Sequence, residues 1–304
     1  MPSSFPTELY IPNPVDCRSR LDSFLVPFGV KMAKDDDQLE SLGRAIQTRM
    51  AQWFQTTSPL EVYQKHERAP RKALLILLGA NRQSEESVRL LSIRSKVPDA
   101  MVLVRTMYER LFNMKYIMRD SKNREALANR FLDSKVLGSK RRLDLSKRVD
   151  GPAHLRVHVS EDHDQIEESY SRFCQTYGIS GKSVPQYWHG STVTDIAKSI
   201  GEEHRFRTFG GMFSEFVHLE GIAKQGIGVE NPMSLVAGTD WPGFAPMPCG
   251  YARDILLDSW IEYATEYQPD ALNEIHSLKD LSIGISSTIA EDNLHPADNT
   301  GVNQ

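Results

Sequence analysis

The chain is poor in several things that would have narrowed its function. Three cysteines, Cys17, Cys174 and Cys249, stand far apart without a CxxC pair. An odd, scattered set of this kind predicts reduced thiols and an intracellular, cytoplasmic protein, not a disulfide framework or a zinc module. No long apolar run is present. The longest, Ala73 to Ala80, is far short of the roughly 20 residues a membrane span needs, so no membrane role is expected. The opening MPSSFPTELYIPNP lacks a basic region followed by an apolar core and does not read as a secretory signal. A net charge of −4 over 304 residues is too small to argue for nucleic acid or an acidic surface. There is no Gly-rich phosphate loop, no GxSxG elbow and no HExxH, so no cofactor and no metal is expected.

What is present is helical patterning. The strongest stretch runs from Pro98 to Asp120, PDAMVLVRTMYERLFNMKYIMRD. Proline suits a first helical turn, and no glycine or second proline follows before Met118. At 100° per residue, Leu103, Val104, Met107, Leu111, Met114 and Met118 form one apolar side. Arg105, Thr106, Glu109, Arg110 and Asn113 lie opposite, with Phe112 and Tyr116 at the margin and Val102 and Ile117 on the polar side. A central helix is expected. Its polar stripe is either a solvated face or a set of groups covered by another helix.

Taken in order, residues 1–34 carry five prolines and read as an arm. Leu39, Leu42, Ile46, Met50 and Trp53 then mark an amphipathic helix after the acidic Asp35–Asp37. A second helix begins near Pro70. Its polar middle, NRQSEES, reads either as one helix crossing solvent or as two helices broken near Gly79–Asn81. Asn123 to Arg148 reads as one helix with a basic second half, and the interleaved Asp133 and Asp144 make it a solvated face. His154, His158 and His163 straddle a loop and an N-cap at Ser160, which argues against a shared metal. A helix follows from Glu161 to Tyr177, stopped by Gly178.

Trp188 reads as an anchor for the next loop. Thr192 or Thr194 would cap a short helix ended by Gly201. A helix from Glu203 to Leu219 lines up Arg207, Gly211, Ser214 and His218, provided the Gly210–Gly211 pair does not break it. Residues 221–250 read as either a functional cover or an irregular surface segment, and Tyr251 to Tyr267 as a final helix. The expected fold is all-α: a multi-helix, bundle-like domain over 35–280, with a disordered, flexible tail over 281–304.

Three segments resemble one family. RTMYERLFNMKYIM is similar to the Arg-xxx-Glu…Tyr helix of DUF5677, a group of uncharacterised, mostly bacterial proteins. YWHGSTVTDIAKSIG resembles its Trp-Gly-x-Ser…Ala…Gly segment, and FSEFVH its Ser-xxx-His helix. The resemblance spans about residues 70–270. It implies an all-helical domain in which Arg105, Glu109, Tyr116, Ser214 and His218 form one polar group, either catalytic or a hydrogen-bonded register between helices. Two functions stay open. One is a binding domain with a protein partner, in a stress or defence setting, with apolar faces that would also allow a homo-oligomer. The other is a metal-independent ribonuclease resembling the HEPN toxins, acting on RNA. The Arg-x4–6-His motif of those toxins is not reproduced, since ten residues separate Arg207 from His218 and the Arg156–His163 pair crosses the cap at Ser160.

Overall fold

The computed structural model describes residues 38–56, 68–94, 96–148, 163–180, 184–185, 187–210 and 246–294. Every regular element among them is helical, and no strand occurs among them. The chain divides into two compact units. The first comprises Met1–Val62, Leu78–Tyr108 and Met212–Gln304, and the second Tyr63–Leu77 and Glu109–Gly211.

In the first unit, α1 (Gln38–Thr56) presents the expected stripe. Leu42, Ile46, Met50 and Trp53 are buried, joined by Ala45. The helix packs on α9 (Pro246–Tyr267) and α10 (Leu272–Leu294), which pack on each other. Trp53 meets the Trp260 ring at 6.0 Å and the Tyr263 ring edge-on at 5.3 Å. Offset contacts of this sort each add about 0.5–1.5 kcal/mol to the area they bury. Arg49 clamps Glu274 through two parallel hydrogen bonds, 2.5 and 2.9 Å long.

Helix α2 (Ala69–Ile93) contributes its first turns to the second unit and the remainder to the first. It is unbroken at Gly79–Asn81. Its polar middle does not cross solvent either, because Asn81, Ser84 and Glu85 are buried. Asn81 Nδ2 donates to the Met107 carbonyl at 3.3 Å and to Ser259 Oγ at 2.9 Å. The Ser259 hydroxyl in turn donates to the Ile255 carbonyl at 2.7 Å. The amide is thereby consumed inside the core, as a buried polar group must be.

Charge is buried here as well. Arg253 is 1 % exposed, and its Nε donates to Ser282 Oγ at 2.7 Å. The Ser282 hydroxyl then donates to Asp254 Oδ1, also at 2.7 Å. Glu85 accepts from Gln47 Nε2. Burial pushes the carboxyls of Glu85 and Asp254 above the usual range, opposed by the Gln47 bond and Arg253 at Glu85 and by Arg253 at Asp254.

The second unit holds α3 from Glu109 onward (the helix runs Val97–Met118), then α4 (Arg124–Asp133), α5 (Lys135–Arg148), α6 (His163–Thr176), α7 (Val193–Ser199) and α8 (Glu203–Arg205). The single helix expected over 123–148 is two. Ser134 breaks it with φ −64° and ψ −10°, its hydroxyl donating to the Phe131 carbonyl at 2.6 Å. That geometry is so close to helical that no glycine or proline is needed, and the sequence carries no mark of it. Helices α5 and α6 are tied by Lys140, which reaches Asp144 at 2.5 Å and Glu167 at 3.0 Å.

The short α7 begins as expected. Thr192 is its N-cap in a full capping box with Asp195, and Gly201 follows with φ +77°. The helix expected over 203–219 opens as a single turn, α8, and widens into a π turn at Phe206–Gly210; the rest lies outside the described residues. So do the arm, Cys17, His154, His158, the Ser160 cap and residues 221–245. Helix α9 starts at Pro246, earlier than expected, its two prolines sitting in the first turn where the missing N–H groups cost nothing. It is not the final helix. Helix α10 extends to Leu294, through residues expected to form the tail.

Candidate functional site

The polar stripe of α3 divides between the two units. Arg105 belongs to the first, Glu109 and Tyr116 to the second, and all three are half-buried. Ser214 and His218 lie outside the described residues. The face follows the helical wheel at Val102, which is exposed on the polar side, and departs from it at Phe112 and Ile117, which are buried. Asn113 becomes a junction. Its Nδ2 donates to the Glu109 carbonyl at 2.9 Å, and its Oδ1 accepts from Trp188 Nε1 at 3.0 Å.

Trp188 is the anchor its size predicts. It is buried, with the Tyr116 ring edge-on at 6.0 Å and the Phe131 ring at 5.5 Å. His189 follows it into the interior, stacked parallel to Tyr187 at 5.4 Å. The His189 Nδ1 accepts from the Ser191 N–H at 3.1 Å, which leaves the neutral ring's proton on Nε2. Burial pushes the imidazole down to about 4, helped by the Arg130 guanidinium and opposed by Asp195. At neutral pH His189 is therefore an uncharged hydrogen-bonding group. Gly190, next along, has φ +77°, and a Cβ there would lie 3.3 Å from the Arg130 guanidinium. A side chain would be strained twice over.

Arg130 leads to the cleft. Together with Arg119, Asn123, Leu127 and Tyr177 it lines a cavity of about 250 Å³. Each guanidinium is laid against an aromatic ring: Arg119 over Tyr116 at 4.2 Å, and Arg130 over Tyr177 at 5.7 Å. Such stacking holds a planar cation in place while leaving its edge N–H groups free to donate. The Arg130 Nε is buried and has no hydrogen-bond acceptor. The other polar groups of the cleft are engaged. Asp120 accepts from the Lys122 N–H at 2.9 Å and from Asn123 Nδ2 at 2.6 Å, and the former bond foremost holds its carboxyl below the usual range. Tyr177 donates its hydroxyl to Asp133 at 2.6 Å; burial first, and this bond second, push its ionisation up to about 12.

Of these residues, the sequence singles out Asn113 as a member of the polar stripe, Tyr116 as a member of the polar group and Trp188 as an anchor. Arg119, Arg130 and Tyr177 carry no local signal, because each acquires its meaning from a partner three or more residues away. His189 meets Tyr187 and Ser191 in its own loop, but Tyr116 and Arg130 beside it are distant in sequence. No group of three or more His, Cys, Asp or Glu able to hold a metal occurs among the described residues. No helix among them is long and apolar enough to cross a membrane.

An all-helical protein with an arginine–aromatic cleft is the class these observations define. The model of DUF5677, a family of unknown function, matches residues 71–225, and the chain belongs to that family. The matched span includes every residue of the cleft. No curated protein and no solved structure matches the chain.

Proposed function

We propose that this protein works by binding, and that the cleft of Arg119 and Arg130 receives a small anion. The observation that carries the reading is Arg130. Its guanidinium lies over the Tyr177 ring, is backed by Gly190, and shares the wall of one small cleft with a second guanidinium, Arg119. Two like charges lining one cleft are each favoured by an oxyanion that accepts from both, through charge-assisted hydrogen bonds. The reading keeps the interaction role inferred from the sequence and moves its centre from the Arg105-to-His218 group to residues that meet within one unit.

Thermal melting of the full chain against a panel of small anions tests it. Ligands that bind only the folded state raise the midpoint with concentration. Anions are expected to shift wild type and to leave Arg130→Gln unmoved. Equal shifts in both, or none in either, would remove the cleft from consideration.

An RNA-cleaving role is the second reading, and one observation favours it: a neutral imidazole, His189, lies close to a guanidinium. The occupied Nδ1 and the burial of the ring support binding over catalysis. Digestion of mixed RNA by wild type and not by His189→Gln would reverse that order.

A further inference from the structure

The geometry points to a phosphate monoester as the ligand of the Arg119–Arg130 cleft, held by its phosphate group with the organic portion in solvent. The inference deepens the anion-binding reading and rests on it.

Size comes first. A cavity of about 250 Å³ is below the range of roughly 300–1,000 Å³ that encloses whole small molecules, yet ample for one tetrahedral head group. The donors come second. Two guanidiniums arrive from different places, Arg119 just beyond α3 and Arg130 in the last turn of α4, each fixed against its own ring. A carboxylate has two coplanar oxygens and satisfies one planar fork. The three terminal oxygens of a monoester, set tetrahedrally, give each of two separate guanidiniums oxygens to bind. The remaining wall sharpens the choice. Asp120 is a carboxylate that only accepts, from Lys122 and Asn123, and its charge opposes an anion; the Tyr177 hydroxyl is turned to Asp133, so neither draws a ligand oxygen. Recognition is left to the arginines. Ala126 and Leu127 supply an apolar side without further polar demands, which suits a head group whose ester oxygen leads outward.

Isothermal titration calorimetry of the full chain, at fixed ionic strength, decides the matter with three probes: inorganic phosphate, phenyl phosphate and acetate. The expected result is saturable binding of both phosphates, at least about tenfold weaker in Arg119→Gln and in Arg130→Gln, with acetate at least about tenfold weaker than either phosphate. Phenyl phosphate binding at least as tightly as inorganic phosphate shows that the cleft leaves the ester group room in solvent; inorganic phosphate at least about tenfold tighter overturns the monoester in favour of free phosphate. Acetate binding as well as phosphate, and still lost in the arginine variants, would overturn the phosphate inference while leaving anion binding intact. Phosphate binding unchanged in both variants, or no binding of any probe by wild type, would overturn both. Arg119 is exposed at a helix end, so its variant folds even if Arg130→Gln does not. Circular dichroism of each variant confirms which proteins enter the comparison.

Discussion

Arg253 in the first unit and Arg130 in the second show two ways of placing a guanidinium. Arg253 is 1 % exposed and satisfied from within, through Ser282 and the nearby Asp254. Arg130 is only partly buried, is braced by a ring and a glycine backbone, and keeps Nε without an acceptor. The difference is between a charge that completes a core and one that is positioned and left incomplete. Burial alone would rank Arg253 as the more unusual residue, but a place on the wall of a cleft beside a second guanidinium ranks Arg130 first as a site.

The largest expected break in that comparison is Arg253→Met. Removing one member of a buried charged set strands the others, a loss of about 3–5 kcal/mol. Urea denaturation should show it, while Arg130→Ala changes stability by about 1 kcal/mol or less, the scale of one cation–π contact. Equal losses would mean that both arginines are structural.

Acid should separate the units by sign. His189 in the second unit is held at about 4, below its ordinary 6.5, so its neutral form stabilises the fold. That contribution is fully present above 6.5 and is lost as pH falls toward 4, roughly 1–3 kcal/mol in all. Glu85 and Asp254 in the first unit are shifted upward, so the fold prefers them protonated. Their effect has the opposite sign: stability falls as pH rises from the ordinary carboxylate range through their folded-state values. Hydrogen exchange read peptide by peptide between pH 6.5 and 4 should find protection weakening around Trp188 and not around Asp254. His189→Gln should abolish the first trend, and Glu85→Gln should flatten the second. The same trend in both regions would remove the distinction.

The smallest effect belongs to Thr192→Ala. Loss of the capping box should cost about 1 kcal/mol and loosen α7. A melting curve indistinguishable from wild type would show that packing of Ile196 and Ala197 alone holds that helix.

Much of the helical framework is legible in the sequence because it rests on short-range chemistry. The α1 stripe, the Thr192–Asp195 cap and the stop at Gly178 each lie within a few residues of one another. Helix α10 is hidden, because SIGISSTIA is rich in glycine, serine and β-branched residues of modest helix propensity, and the buried Ile275, Leu278 and Leu281 of the same helix all precede it. The break at Ser134 is hidden because its backbone stays almost helical. The polar middle of α2 reads as a solvent crossing or a break because Asn81's acceptors, Met107 and Ser259, are distant in sequence. The site is the least legible part. Tyr116 stands out as the margin of a stripe, yet its worth comes from Arg119 and Trp188 lying on its ring, and Arg130 needs Tyr177 and Gly190 to become recognisable.

The contact between Trp188 and His189 has an optical consequence. The rings meet edge-to-face at 5.2 Å, and a protonated imidazole at that range quenches indole emission where a neutral one does so weakly. The chain thus contains its own fluorescent gauge of whether this loop is closed around an uncharged histidine. No label is needed, and a chain carrying His189→Gln supplies the blank.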